Sequence, residues 1–333
     1  IRTERAMERS AANILSMGRW SKIVVWSIGF FLLLMFVIGF WASREPDLFW
    51  VQRSAAQESA VVGFSTADTL IRVAETLQDK NGGYLTNDKL PPFLILDNIP
   101  SWEIGVVYQI SDLGRVMRDQ YTRSQSQSKE DTDVNAGAGK FFYDADSWVF
   151  PTTESEYREG VKAFKRYRDR LAAGDPDAQF YARADNLREW LLQVENRLGS
   201  MTRRLGNSVA RTRINDDLAG DAAAEASGAQ TDTVNVRTSW WKTDNVFFEA
   251  RGTAWALVHF FRAAEFDFAH VLQDKNAEVS VRQIIRELEA SLDPLRSPMI
   301  MNGGGYGLTA NHSLVMANYL ARANAAVINL REL

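Results

Sequence analysis

An unbroken apolar run, IVVWSIGFFLLLMFVIGFW from Ile23 to Trp41, is the strongest feature of the hydropathy pattern. An α-helix of this length spans about 28 Å at 1.5 Å per residue, close to the ~30 Å hydrocarbon core of a bilayer. The run therefore predicts a transmembrane helix over residues 23–42. Its predicted membrane-anchor side chains are Ile23, Trp26, Phe30, Leu33, Phe36, Phe40 and Trp41. A cleaved signal peptide is the competing interpretation, but its apolar region usually has about 7–15 residues and ends in small ones.

Basic residues on either side of the run predict which way the helix crosses the membrane. Those before it are Arg2, Arg5, Arg9, Arg19 and Lys22, whereas Arg44 and Arg53 follow it. Since basic residues favour the cytoplasmic side, we expect a cytoplasmic tail over residues 1–22 and an extracytoplasmic body over 46–333. In a bacterium with two membranes, this orientation predicts an inner-membrane protein with a periplasmic body.

Apolar positions in the body recur at spacings of three and four, which is typical of helices, and no segment alternates as a strand does. Helices are predicted near 46–80, 101–124, 153–173, 244–273, 277–292 and 310–333. Pro46 suits the first turn of the first of these, which would continue the anchor as a semi-rigid stalk. Flexible loops are expected near 124–140 and 215–232, where bulky apolar residues are scarce. The predicted fold class is all-α: a transmembrane helix followed by a multi-helix extracytoplasmic bundle.

One helix of the bundle carries a heptad pattern, which we call the seam. Its apolar residues alternate at spacings of four and three: Phe180, Ala184, Leu187, Leu191, Val194, Leu198, Met201 and Leu205. Such a pattern predicts a helix–helix interface. It fits a coiled coil between two copies, or an antiparallel helix pair within one chain, which is the commoner arrangement.

The predicted helix 244–273 is crowded with aromatic residues on nearly every face. This density is typical of a central core helix. A binding groove or a membrane-surface contact is the alternative interpretation.

Composition excludes several kinds of chemistry and favours none. The chain has no cysteine, which excludes thiol catalysis, and its net charge of −4 gives no reason to expect a nucleic-acid partner. His259 and His270 would share one face of a helix, with Asp267 one turn before His270 and Glu249 further back. Buried, hydrogen-bonded histidines are commoner than a metal site in such a setting. No cofactor, metal or catalytic residue is therefore predicted.

One enzyme interpretation rests on a resemblance. Glu289 to Pro294 followed by Gly305 to Leu308 is similar to the lysozyme-like lytic transglycosylases, in which a helix-borne glutamate precedes a glycine–leucine motif. The resemblance implies Glu289 as general acid/base on peptidoglycan. The spacing here is longer, and Thr309 stands where that family has glutamine, so this is the less favoured alternative.

The chain as a whole resembles a family of single-span inner-membrane proteins from proteobacteria, catalogued as a domain of unknown function. The matching strings are REPDLF (44–49), ETLQDKNGGYLTND (75–88), RSQSQSKED (123–131), ESEYREG (154–160), QFYARADNLREWL (179–191) and NHSLVMANYLARANAA (311–326). The resemblance implies the same topology and a helical body, and it supplies no activity.

These patterns together predict a structural, scaffolding or interaction component of the cell envelope that is not an enzyme. Its expected partners are the lipid bilayer and either a second copy of itself or other envelope proteins. The alternative is a module that binds lipid or cell-wall material through the aromatic helix.

Overall fold

The computed structural model describes residues 18–51, 61–123, 130–209, 211–214, 233–236, 238–295, 297, 299–304 and 309–333. The helices are α1 (Arg19–Ala42), α2 (Phe64–Asp79), α3 (Asn98–Val116), α4 (Thr132–Lys140), α5 (Thr153–Ala172), α6 (Ala184–Gly206), α7 (Trp240–Asp267), α8 (Ala269–Asp274), α9 (Glu278–Ser291) and α10 (His312–Glu332). A π-helical turn, Met117–Tyr121, extends α3. Two short strands, β1 (Arg211–Ile214) and β2 (Thr233–Val236), pair antiparallel. The all-α prediction is confirmed, with this ribbon as a small addition.

Helix α7 is the centre of the body, as its aromatic density predicts, and α3 packs most closely against it. The two backbones touch at glycines. A Cβ placed on Gly252 would lie 1.9 Å from the carbonyl oxygen of Trp102, and one placed on Gly105 would lie 2.1 Å from that of Glu249. The two helices run parallel, because Trp102 also meets Trp255 and Tyr121 meets Phe268 further along.

The apolar residues of the seam are covered by another helix of the same chain. Helix α6 packs chiefly against α10, and the helices are antiparallel, because Gly199 faces Asn324 and Glu195 pairs with Arg331. The seam residues buried in the single chain are Leu187, Leu191, Val194, Leu198, Met201 and Leu205. Phe180 precedes the helix and packs over Gly63.

The predicted helix 46–80 is wrong over its first part. Residues 44–51 are not helical, residues 52–60 lie outside the described part, and α2 begins only at Phe64. The cause is tertiary: residues 44–50 bind along α7. A semi-rigid helical stalk is therefore excluded directly after α1, which we call the anchor after its predicted role.

The prediction of a flexible loop over 124–140 is wrong for its second half. Residues 132–140 form α4, because the carboxylate of Asp131 accepts hydrogen bonds from the backbone N–H groups of Asp133 and Val134 and caps the helix. Residues 124–129 and 215–232 lie outside the described residues. Helix α7 begins at Trp240 and breaks at Phe268, so the predicted single helix 244–273 is divided into α7 and α8.

Candidate functional site at the junction of anchor and body

Helix α1 is, within the described residues, the one helix long and apolar enough to cross a membrane. The predicted anchor side chains project away from the body and are exposed: Ile23, Trp26, Phe30, Leu33, Phe36, Phe40 and Trp41. The buried residues of α1 are Gly39 and Ala42, both in its last turns. The anchor therefore meets the body at its C-terminal end.

That end sits on a glycine turn and a proline-rich loop. A Cβ on Gly39 would lie 3.7 Å from Leu96 Cδ2 and 3.8 Å from Pro92 Cβ, which is ordinary contact. Ala42 Cβ lies 2.9 Å from where a Cβ on Gly82 would be. Gly82 also has a φ of 83°, a conformation that favours glycine. The turn thus admits the end of the anchor because this position has no side chain.

A buried ion pair supports the glycine turn. Lys80 Nζ lies 2.6 Å from Glu103 Oε1, and both side chains are almost wholly buried. Glu103 also accepts hydrogen bonds from the N–H groups of Leu85 and Thr86 and from the Thr86 hydroxyl. Burial raises the pKa of the Glu103 carboxyl, while Lys80 and these donors act to lower it. The network joins the end of α2, the turn and α3 into one support beneath Ala42.

Residues Arg44–Trp50, which we call the strap, run from the end of the anchor along α7. Strap residues pair in sequence with one face of the helix: Glu45 with Arg251, Asp47 with Trp255 and Phe49 with His259. Each step of two residues along the strap thus corresponds to a step of four residues along α7. An extended chain covers about 6.6 Å in two residues and a helix about 6.0 Å in four, so the two rises match.

Arg251 is the strongest holding point of the strap. Its guanidinium binds the Glu45 carboxylate through Nε at 2.8 Å and Nη2 at 2.7 Å. The guanidinium also donates to backbone carbonyls at the end of α9: Ser291, Leu292 and Asp293. The Arg251 side chain is 7% exposed. One buried cation therefore joins the strap, α7 and the end of α9.

His259 binds the strap as a neutral ring. Its Nδ1 lies 2.7 Å from the carbonyl oxygen of Trp255, which can only accept, so Nδ1 carries the proton. Its Nε2 accepts the backbone N–H of Phe49 at 3.1 Å, and the two rings stack with centroids 3.8 Å apart. Burial lowers the pKa of His259 to about 3, with smaller contributions from Arg262 and Arg72.

Two arginines hold the end of the strap. Arg72 lies 4.0 Å from the centroid of the Phe49 ring and donates to the carbonyl of Trp50 at 3.2 Å. Arg262 donates to the carbonyl of Phe49 at 3.1 Å and pairs with Glu289 at 2.6 Å. Glu289, which the lytic-transglycosylase resemblance implied as a general acid/base, is therefore the ion-pair partner of Arg262. Residues 305–308 of the motif lie outside the described part.

The histidine and carboxylate group considered from the sequence is dispersed. His270 is exposed on α8, beyond the break at Phe268. Asp267 accepts hydrogen bonds from the N–H and hydroxyl of Thr66 and holds the start of α2. Glu249 pairs with Arg204. Within the described residues, no group of three or more histidines and carboxylates could hold a metal ion.

The strap is what the sequence patterns miss. Glu45 precedes Pro46, and a residue before proline is disfavoured in helical geometry, which was the available signal. Proline is also common in the first turn of helices, and that rule led to the wrong prediction. The choice between them depends on α7, more than 200 residues later in the chain.

Residues 15–333 match the model of the DUF2333 family, which is described as an uncharacterized protein conserved in bacteria. The match includes the anchor, the strap and the body. No curated protein and no solved structure matches the chain.

Proposed function

Because the chain belongs to the DUF2333 family of bacterial proteins, we propose that it is a non-enzymatic envelope component that presents a helical body at a membrane surface. In this proposal α1 crosses the inner membrane, residues 1–22 are cytoplasmic and the body is periplasmic. The excess of basic residues before α1 supports this orientation. The protein acts by protein–protein contact.

The strap is the observation that carries the proposal. A flexible linker would let the body sample a wide volume around its anchor. Here Glu45, Asp47 and Phe49 are each bound to the core helix, starting directly after the span. The body is therefore held in one orientation relative to the membrane. A fixed orientation is what a protein needs to present a surface to membrane partners.

Self-association is part of the proposal, and it needs a surface other than the seam. The seam residues are buried against α10 in a single chain. Binding of lipid inside the aromatic body loses support for a similar reason. Trp255 is buried between Trp102 and His259, so it is not available to line a groove.

The test is to extract the protein from its native membrane with its surrounding lipid and to measure the mass of the intact assembly. The proposal predicts two or more copies, or a second envelope protein at fixed stoichiometry. It also predicts that cross-links formed in the membrane join the same chains. A strict monomer without a copurifying protein would contradict it.

A strap-released variant gives a sharper comparison. Glu45→Ala together with Phe49→Ala removes the carboxylate bound by Arg251 and the ring stacked on His259. The backbone hydrogen bonds of the strap and the three carbonyl partners of Arg251 remain. We expect this variant to stay helical and membrane-bound but to lose most of the assembly. Arg282→Ala, at an exposed pair with Glu278, is the control and should keep it. An assembly unchanged by strap release would contradict the role given to the fixed orientation.

A further inference from the structure

The anchor end of the body exposes large apolar side chains on three segments. The first segment carries Leu90, Leu94 and Ile95, the second Trp148, Val149 and Phe150, and the third Trp240 and Trp241. Ile95 is 79% exposed, Phe150 94% and Trp241 77%. A contiguous exposed apolar patch marks an interaction site, and the contacts below place the three segments near one another.

The first segment lies at the depth of the membrane span. Leu96 and Pro92 contact Gly39, which is inside α1 and three residues before its end. A helix rises about 1.5 Å per residue, so this contact lies within about 5 Å of the end of the span. With α1 spanning the bilayer as proposed, Leu94 and Ile95 lie at the boundary between headgroups and acyl chains.

The second segment is tied to the first. Lys89 Nζ pairs with Asp146 at 2.5 Å. Lys89 directly precedes Leu90, and Asp146 lies two residues before Trp148. The side-chain amide of Asn87 donates to the carbonyl of Ser147 at 2.7 Å. Lys89 and Asp146 thus offset each other's charge beside the two apolar segments.

The third segment starts at the same end of the body. Helices α3 and α7 run parallel, and the side-chain amide of Asn245, in the orientation that satisfies both its groups, donates to Asp97 Oδ2 at 3.1 Å. Asp97 directly follows Leu96, which touches the anchor. Trp240 and Trp241 lie about one turn before Asn245, at the tip of α7.

We propose that these three segments form one docking face that inserts into the interfacial layer of the bilayer crossed by α1. The occupant is lipid, because the first segment packs against α1 at Gly39, beside the exposed Phe40 and Trp41, and the face is rich in tryptophan, which favours the headgroup layer. Burial of its apolar side chains at the boundary with the acyl chains lowers the free energy of the membrane-bound state. This inference rests on the proposed membrane span, and it adds a second membrane contact made by the body itself.

The test uses single cysteines, because the chain has none of its own. An environment-sensitive fluorophore is attached to four full-length variants: Ile95→Cys, Leu90→Cys, Phe36→Cys and Val279→Cys. Each is placed as one copy per nanodisc of phosphatidylethanolamine and phosphatidylglycerol, with or without nitroxide-labelled lipid. Phe36 lies in α1 and is the positive control. Val279 is as exposed as these residues but lies near the far end of α7, beside α8, and is the negative control.

The proposal predicts that labels at positions 95, 90 and 36 emit at shorter wavelength and lose emission to the nitroxide lipid, while the label at 279 does neither. Quenching at 36 without quenching at 95 and 90 would overturn the docking face and leave the span intact. No quenching at any position would overturn the span as well. A wavelength shift at 95 and 90 without lipid quenching would replace lipid by a protein surface and so overturn the proposal. Circular dichroism of each variant confirms that it is folded.

Discussion

Arg251 and Glu45 form a bidentate ion pair between residues 206 positions apart in the chain, with Nε–Oε1 at 2.8 Å and Nη2–Oε2 at 2.7 Å. Glu45 lies just beyond the last residue of the anchor, and Arg251 lies on the central helix of the body. The chain that leaves α1 therefore becomes part of the core packing at once. This makes the stability of the body and the orientation of the anchor depend on the same contacts.

Removal of Arg251 should be strongly destabilising. In Arg251→Ala the Glu45 carboxylate loses its partner in a largely buried place, so we expect the free energy of unfolding to fall by about 3–5 kcal/mol. Chemical unfolding in mild detergent, followed by circular dichroism, measures this. Arg282→Ala removes an exposed pair with Glu278 and should cost no more than about 0.5 kcal/mol. Equal losses in the two variants would show that the strap contact contributes little.

His259 should make the protein sensitive to acid. Its pKa is lowered from 6.5 to about 3 in the folded state, so between these values the unfolded state binds the extra proton. The contribution of the neutral His259 to the free energy of unfolding is therefore fully present above pH 6.5. It is lost progressively as the pH falls towards 3. At pH 5 the loss should be about 2 kcal/mol.

The comparison is with His259→Gln, which has no titrating group at this position. The raised pKa of the buried Asp267 carboxyl acts in the opposite direction, but it is common to both proteins and cancels. The difference in free energy of unfolding between wild type and variant should thus change by about 2 kcal/mol between pH 7.5 and pH 5. A difference that stays constant with pH would contradict the neutral, buried histidine.

The contact of α3 with α7 should not tolerate a single added methyl group. A Cβ on Gly252 would lie 1.9 Å from the carbonyl oxygen of Trp102, so Gly252→Ala must push two backbones apart and should cost about 3 kcal/mol or more. Gly139 in α4 has nothing within 4 Å of the same position. Gly139→Ala should be neutral or stabilising by up to about 0.5 kcal/mol. Thermal unfolding of the two variants measures the contrast.

The seam should behave as a core and not as an interface between copies. Leu198 is fully buried in a single chain, so Leu198→Ala should lower the free energy of unfolding by about 2–5 kcal/mol. The effect should be independent of protein concentration, and the number of copies per assembly should not change. Val315→Ala, at an exposed position on α10, is the control and should be within about 0.5 kcal/mol of wild type. A seam variant whose loss of stability disappears at high concentration would contradict the placement.

Local periodicity predicts the parts of this fold whose partners are set by a repeating pattern. The run Ile23–Trp41 predicts α1, the aromatic density predicts α7 as the core, and the seam predicts a packed helix at α6. In each case the signal lies within one segment of the chain. Whether the seam closes within the chain depends on α10, which carries no equally clear pattern.

The junction could not be predicted because its partners are distant in the chain. Nothing near Glu45 in the sequence indicates Arg251, and nothing near Lys80 indicates that Glu103 will be buried beside it. At Pro46 two local rules disagree, and the tertiary contact decides between them. Leu94 and Ile95 are exposed, and the position of their loop beside α1 is not visible in the sequence.

The central claim is that anchor and body form one rigid unit, and a distance measurement across the junction tests it most directly. Nitroxide labels at Trp20→Cys and Tyr108→Cys, both exposed, are measured by double electron–electron resonance in nanodiscs. The structure predicts one narrow distance distribution, which broadens when Glu45→Ala and Phe49→Ala weaken the strap. A broad distribution in the otherwise unaltered protein, unchanged by strap release, would contradict the claim.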